Sequence, residues 1–185
     1  MYRTIPSLIS LCLLLFGPSL SAQKYITKNG HIKFFSEAPM ETIEAHNRQV
    51  NCALDISNGD FVFKVLIKSF EFEKALMQEH FNENYMESDK IPASTFSGKI
   101  ENISEIDFNK DGEYPVRVMG TINVHGVKKD IEEGGNLEVK GDKVLATSVF
   151  HLKPEDFDIK IPKTVIDNIA KEIEVTVDVD LSKMK

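Results

Sequence analysis

The chain has 185 residues, of which 42% are hydrophobic, and its 29 acidic and 22 basic side chains give a formal net charge of −7. This length fits a single domain that can bury a sizeable core. An acidic charge scattered along the chain is unsuited to nucleic acid or to an anionic membrane surface. Neither is expected as a partner.

The first residues predict a secretory signal. Arg3 precedes the apolar run 8–16, the helix breakers Gly17 and Pro18 follow, and residues 19–22 are small apart from Leu20. The run is far shorter than the ~20 residues that cross a bilayer. We therefore expect a cleaved signal peptide over residues 1–22 and an exported domain over residues 23–185, with no stable membrane anchor. Cys52 is then the one cysteine of the mature chain, so the core must stabilise the fold without an internal disulfide.

Apolar and polar residues alternate with a period of two through most of this domain, which indicates β-strands. Turn residues such as Asn58-Gly59 separate the alternating runs. The pattern predicts an all-β fold of eight antiparallel strands, either a closed barrel or a sandwich, since periodicity does not distinguish the two. The runs lie at 32–36, 50–56, 61–67, 96–100, 116–124, 131–139, 144–152 and 173–181.

Two segments interrupt the alternation. Residues 73–81 place Leu76, Met77 and His80 at helical spacing, and residues 164–171 predict a second short helix. Residues 37–49 show neither period and are interpreted as a connection with, at most, a turn of helix.

The inward face of a small barrel is either packed solid or holds one ligand. The inward positions combine large side chains such as Phe61 and Phe150 with small ones such as Gly120, Ala146 and Ser148. Small residues in mid-strand favour space for a ligand. The alternative is that they only taper the barrel or let the strands bend.

Three motifs in order resemble the YceI-like family of periplasmic proteins, which bind lipids and polyisoprenoids inside a β-barrel. The first is His80-Phe81 followed by Pro92 and by Thr95-Phe96; the others are residues 120–129 and 156–160. The resemblance spans roughly residues 23–181. It favours a lipocalin-like barrel with one or two short helices over the sandwich, and it implies a periplasmic location.

The resemblance also implies a polyisoprenoid, an isoprenoid quinone or a related lipid as the ligand, sequestered or transported in the barrel. The helix and the loop after it would gate the mouth. The expected lumen residues are Phe34, Phe61, Phe63, Val65, Phe96, Ile100, Val118, Gly120, Ile122, Ala146, Ser148 and Phe150. The expected mouth residues are Leu76, Met77, His80, Phe81, Tyr85 and Met86.

No enzyme, metal or cofactor motif is recognised. Residues 107–112 imitate half of a calcium loop, but Val118 stands where the loop requires a bidentate Glu. The five histidines lie on separate elements, and no nucleophile motif occurs. We expect a binding protein. A ligand-free interaction barrel stays open, as does an enzyme that would need His80, Tyr85 and a carboxylate to converge; a homodimer is also left open.

Overall fold

The computed structural model describes residues 24–184, so the predicted signal peptide over residues 1–22 lies outside the described residues. The described chain is mostly β-structure, as the alternating pattern predicts. Its strands are β1 (Lys24–Glu37), β2 (Thr42–Asp55), β3 (Asp60–Leu66), β4 (Phe70–Phe72), β5 (Ala93–Ile100), β6 (Gly112–Val124), β7 (Val127–Lys140), β8 (Lys143–Leu152) and β9 (Ile173–Lys183).

The sheet closes on itself. Neighbouring strands are antiparallel, and β1 pairs with β2 on one side and with β9 on the other. Both β3 and β4 pair with β2, and the 3-10 turn Ile67–Ser69 lies between them. Together β3 and β4 therefore form one interrupted strand of the wall. The predicted closed, eight-stranded antiparallel barrel is confirmed.

The helical segments are short. The predicted helix at 73–81 is α1 (Ala75–His80), which continues into a π-helical turn, Phe81–Tyr85. The predicted helix at 164–171 is instead a pair of 3-10 turns, Lys163–Asn168, kinked at Val165. No helix in residues 24–184 has the length and apolar character needed to cross a membrane.

The segment 37–49 differs from its prediction as a connection, because β2 already begins at Thr42. Arg48 and Gln49 are both exposed, and the pairing of β1 with β2 shifts from Ile32↔Asn47 to Gly30↔Val50. This bulge reverses the alternation within one strand, so the sequence pattern is lost there. Asn47 is fully buried, but its amide donates to the Leu66 carbonyl at 2.8 Å and accepts from the Gln49 N–H at 2.9 Å.

One half of the barrel is packed solid. At the end where β1 begins and β9 finishes, the interior is filled by fully buried side chains: Tyr25, Leu54, Ile100, Leu137, Val139, Val144, Val179 and Leu181. The loop after β5 covers this end, and its Phe108 ring lies 6.0 Å from that of Tyr25. Cys52 belongs to the same core; burial raises the pKa of its thiol, so the thiol stays protonated and unreactive. Any ligand is therefore confined to the other half.

Candidate ligand-binding cavity

The other half of the barrel holds a cavity of about 400 Å³. This volume is in the ~300–1,000 Å³ range of small-molecule sites. Its wall consists mainly of inward side chains of the strands, which are predominantly aromatic and aliphatic because each strand turns its apolar positions inward. They include Ile32, Phe34, Phe61, Phe63, Val65, Phe96, Val118, Ile122, Phe150, Val175 and Val177.

Most of the residues expected in the lumen line this cavity, Ala146 and Ser148 included; Ile100 and Gly120 do not. Ile100 is only 2% exposed and belongs to the packed end, because alternation predicts which face a residue is on but not how deep it lies.

Gly120 has a different role from the one expected. It lies directly opposite Gly98 on β5, and the Phe96 ring covers both glycines. A Cβ on Gly120 would come within 2.4 Å of the Gly98 Cα and 2.7 Å of the Phe96 Cζ. The missing side chains therefore make room for an aromatic ring of the wall, and not for a ligand.

The helical segment covers part of the cavity mouth. Phe81 packs on three phenylalanines of the wall, with ring-centroid distances of 5.4 Å to Phe34, 5.5 Å to Phe70 and 5.0 Å to Phe72. This cluster anchors the segment, and its cavity-facing residues include Met77, His80, Phe81, Tyr85 and Met86. Leu76 lies on the other side of the helix, is 61% exposed and does not line the cavity.

A second cover comes from the connection between β8 and β9, which sequence reasoning did not assign to the site. Phe157, Ile159, Val165 and Ile169 line the cavity from this connection. The turn Pro154–Phe157 is held by contacts with the β6–β7 turn and the start of β7. The Nδ1 of His125 lies 3.1 Å from the Phe157 carbonyl, and the Nζ of Lys129 lies 2.6 Å from the Asp156 Oδ1. The sequence signals in this connection were the motif at 156–160, which contains Phe157, and the helical spacing at 164–171, but neither assigned it to the site.

The charged groups that line the cavity differ in their surroundings. Glu41 accepts hydrogen bonds from Lys74 at 3.1 Å and Asn168 at 3.3 Å, and these bonds lower the pKa of its carboxyl. Lys153 pairs with Glu172 at 3.4 Å. Burial raises the pKa of the Glu133 carboxyl, while His151 acts in the opposite direction. Glu41 and Lys153 are thus engaged with residues of the β8–β9 connection, whereas burial is the main influence on the carboxyl of Glu133.

Within residues 24–184, the polar residues of the cavity are not joined into the arrangement of His80, Tyr85 and a carboxylate that an enzyme would need. His80 and Tyr85 both line the cavity, but the Glu41 carboxylate is bound by Lys74 and Asn168. Across residues 24–184, no group of three or more His, Cys, Asp or Glu side chains is arranged to hold a metal ion. What the arrangement can do is remove an apolar chain from water.

A closed antiparallel barrel with an apolar cavity at one end defines a lipocalin-like class of fold. The model of the YceI-like domain family matches residues 24–181, which is most of the chain. The protein belongs to the YceI-like family, as its three motifs indicated.

Solved structures share this fold at low sequence identity. A polyisoprenoid-binding domain from Saccharophagus degradans has a TM-score of 0.76 at 10% identity, covering 87% of this chain and 98% of that one. BcnA from Burkholderia cenocepacia has a TM-score of 0.68 at 12% identity, covering 83% and 96%. The YCEI protein from Campylobacter jejuni has a TM-score of 0.58 at 17% identity, covering 76% and 84%. No curated protein matches the chain.

Proposed function

We propose that this protein binds one long apolar ligand, an isoprenoid lipid or a related amphiphile, inside the barrel. The observation that carries the proposal is the cavity of about 400 Å³, lined by aromatic and aliphatic side chains, in the half of the barrel that is not packed solid. The Saccharophagus degradans domain, which shares the fold and is described as polyisoprenoid-binding, supports this choice of ligand.

The driving force is the hydrophobic effect. An apolar chain that moves from water into such a cavity gains ~25 cal/mol for each Å² of surface it buries. Several isoprene units therefore supply enough free energy for binding with few polar contacts. Met77 and Met86 at the mouth suit chains of varied shape, since the methionine side chain is flexible and polarisable.

The mechanism is sequestration, with the anchored helix and the β8–β9 connection as covers. We propose that the signal over residues 1–22 directs the protein to the periplasm, where a lipid carrier overcomes the insolubility of its ligand in water. The rival function as a ligand-free interaction barrel requires a lumen filled by side chains, and the cavity argues against it. The rival enzyme needs a carboxylate that converges with His80 and Tyr85, and no hydrogen bond or ion pair of the described residues joins a carboxylate to either side chain.

A displacement titration tests the proposal. The protein is loaded with a fluorescent apolar probe, and geranylgeraniol is then added. We expect displacement at concentrations on the order of micromolar, and a much weaker effect from the shorter alcohol geraniol, because less apolar surface is buried. If folded protein took up neither the probe nor geranylgeraniol, the carrier function would be refuted.

A further inference from the structure

The barrel wall has an opening between β7 and β8. The hydrogen-bonded register of these strands runs from Lys140↔Lys143 only as far as Asn136↔Thr147. Beyond that point β7 continues along β6 back to Val127, and β8 continues along β9 to Leu152. Within the described barrel, residues 127–135 of β7 and residues 148–152 of β8 thus belong to neighbouring strands of the wall, but they are not paired with each other.

Both ends of this opening are held by specific contacts. At the lower end the Ser148 hydroxyl donates a hydrogen bond to the Gly134 carbonyl at 2.6 Å. At the upper end the turn Pro154–Phe157 joins β8 to the start of β7. There Lys129 pairs with Asp156 at 2.6 Å, and its ammonium lies 5.8 Å from the centre of the Phe157 ring. We call this framed opening the window.

At the lower end of the window, the cavity lies next to a hollow on the outside of the barrel. The hollow measures about 330 Å³ and includes Val149, Thr176 and Asp178 in its lining. It shares Gly134, Gly135, Asn136, Thr147, Ser148 and Val177 with the cavity, so the two spaces face each other across a thin part of the wall. The end of a ligand beside these shared residues would therefore lie close to the solvent side of the wall.

Glu133 is the acidic group of the cavity wall beside the window. It is an inward position of β7, two residues from Gly135, and its carboxyl is partly buried. Among the described residues none donates a hydrogen bond to it, and the charge that acts on it is that of His151 on β8. The neighbouring lysines are already paired, Lys129 with Asp156 and Lys153 with Glu172.

We infer that the polar end of the ligand lies at this window against Glu133, which selects an apolar chain ending in an uncharged hydrogen-bond donor, such as an alcohol, over the same chain ending in a phosphate. This inference rests on the proposed function. An ionised carboxylate can only accept hydrogen bonds, so a hydroxyl satisfies it. A phosphate would place two like charges together in a partly desolvated site.

Competition between geranylgeraniol and geranylgeranyl monophosphate tests the inference. Displacement of the fluorescent probe is measured at mildly alkaline pH, where the carboxylate is ionised, for the wild type, Glu133→Gln and Glu132→Gln. Glu132 is the adjacent residue, exposed on the outer face, so its variant removes the same charge away from the cavity. The hydrogen bond from the alcohol to an ionised carboxylate is stronger than one to a neutral amide, so we expect the preference for the alcohol to fall at least about tenfold in Glu133→Gln. It is expected to stay unchanged in Glu132→Gln.

The outcomes distinguish a failure of this inference from a failure of the proposed function on which it rests. An unchanged preference in folded Glu133→Gln, with the alcohol still bound by the wild type, would overturn the role of Glu133 and leave the carrier standing. An equal loss in both variants would overturn it as well, because the effect would then come from net charge. If the wild type bound neither compound, the proposed function would fail first and the inference with it.

Discussion

The Val118→Trp variant is expected to fold as the wild type does and to lose its affinity for geranylgeraniol by at least about a hundredfold. Val118 is a half-buried inward residue of β6 whose side chain borders the cavity. An indole at this position projects into space that the ligand would otherwise occupy. Because the added ring enters a cavity and not a packed core, the expected cost to the free energy of unfolding is below the ~1–3 kcal/mol typical of overpacking. The displacement titration measures the affinity.

The matched control is Val62→Trp. Val62 lies on β3, points to the outside of the barrel and is 41% exposed, so the same change there leaves the cavity intact. This variant is expected to bind as the wild type does. Unaltered binding by folded Val118→Trp would mean that the chain of the ligand does not lie in the cavity.

The second large effect concerns stability. A Gly98→Ala variant is expected to lose about 3 kcal/mol or more of its free energy of unfolding. A Cβ at this position would lie 2.2 Å from the Met119 carbonyl oxygen, 2.5 Å from the Phe96 Cζ and 2.7 Å from the Gly120 Cα. The first and last of these atoms belong to the backbone of β6, which cannot move aside without disturbing the ladder with β5. The midpoint of urea unfolding, compared at equal m-value, measures the loss.

Gly134→Ala is the control for this substitution. No atom lies within 4 Å of a Cβ at Gly134, and its φ is outside the left-handed region, so alanine fits without strain. The expected change is within about 0.5 kcal/mol, or a small stabilisation from the reduced freedom of the unfolded chain. Equal losses in the two variants would contradict the packing of Phe96 over the glycine pair.

The sequence was sufficient to predict the barrel. Strict alternation identified the strands, and turns such as Asn58-Gly59, where the φ of the glycine is 80°, separated them. The choice of barrel over sandwich came from the family motifs, because both architectures share one alternating pattern. The bulge at Arg48 and Gln49 was missed, since an inserted residue leaves no compositional signal and removes the alternation itself.

The candidate site was predictable only in outline. Alternation placed residues on the inward face, but which inward residues fill the packed end depends on where each strand starts relative to its neighbours. That register decides that Ile100 is core and that Gly120 faces Gly98. The window depends on where the ladder between β7 and β8 stops. The helical spacing at 164–171 did not reveal that this segment covers the cavity.

Native mass spectrometry of protein purified from cells that naturally produce it tests the central claim most directly. The spectrum is recorded before and after extraction with organic solvent, and the extract is identified. We expect a single, stoichiometric adduct that disappears on extraction and is recovered as an apolar isoprenoid or related lipid. A protein that carries no adduct, and acquires none when geranylgeraniol is added, would contradict the claim that the cavity holds an apolar ligand.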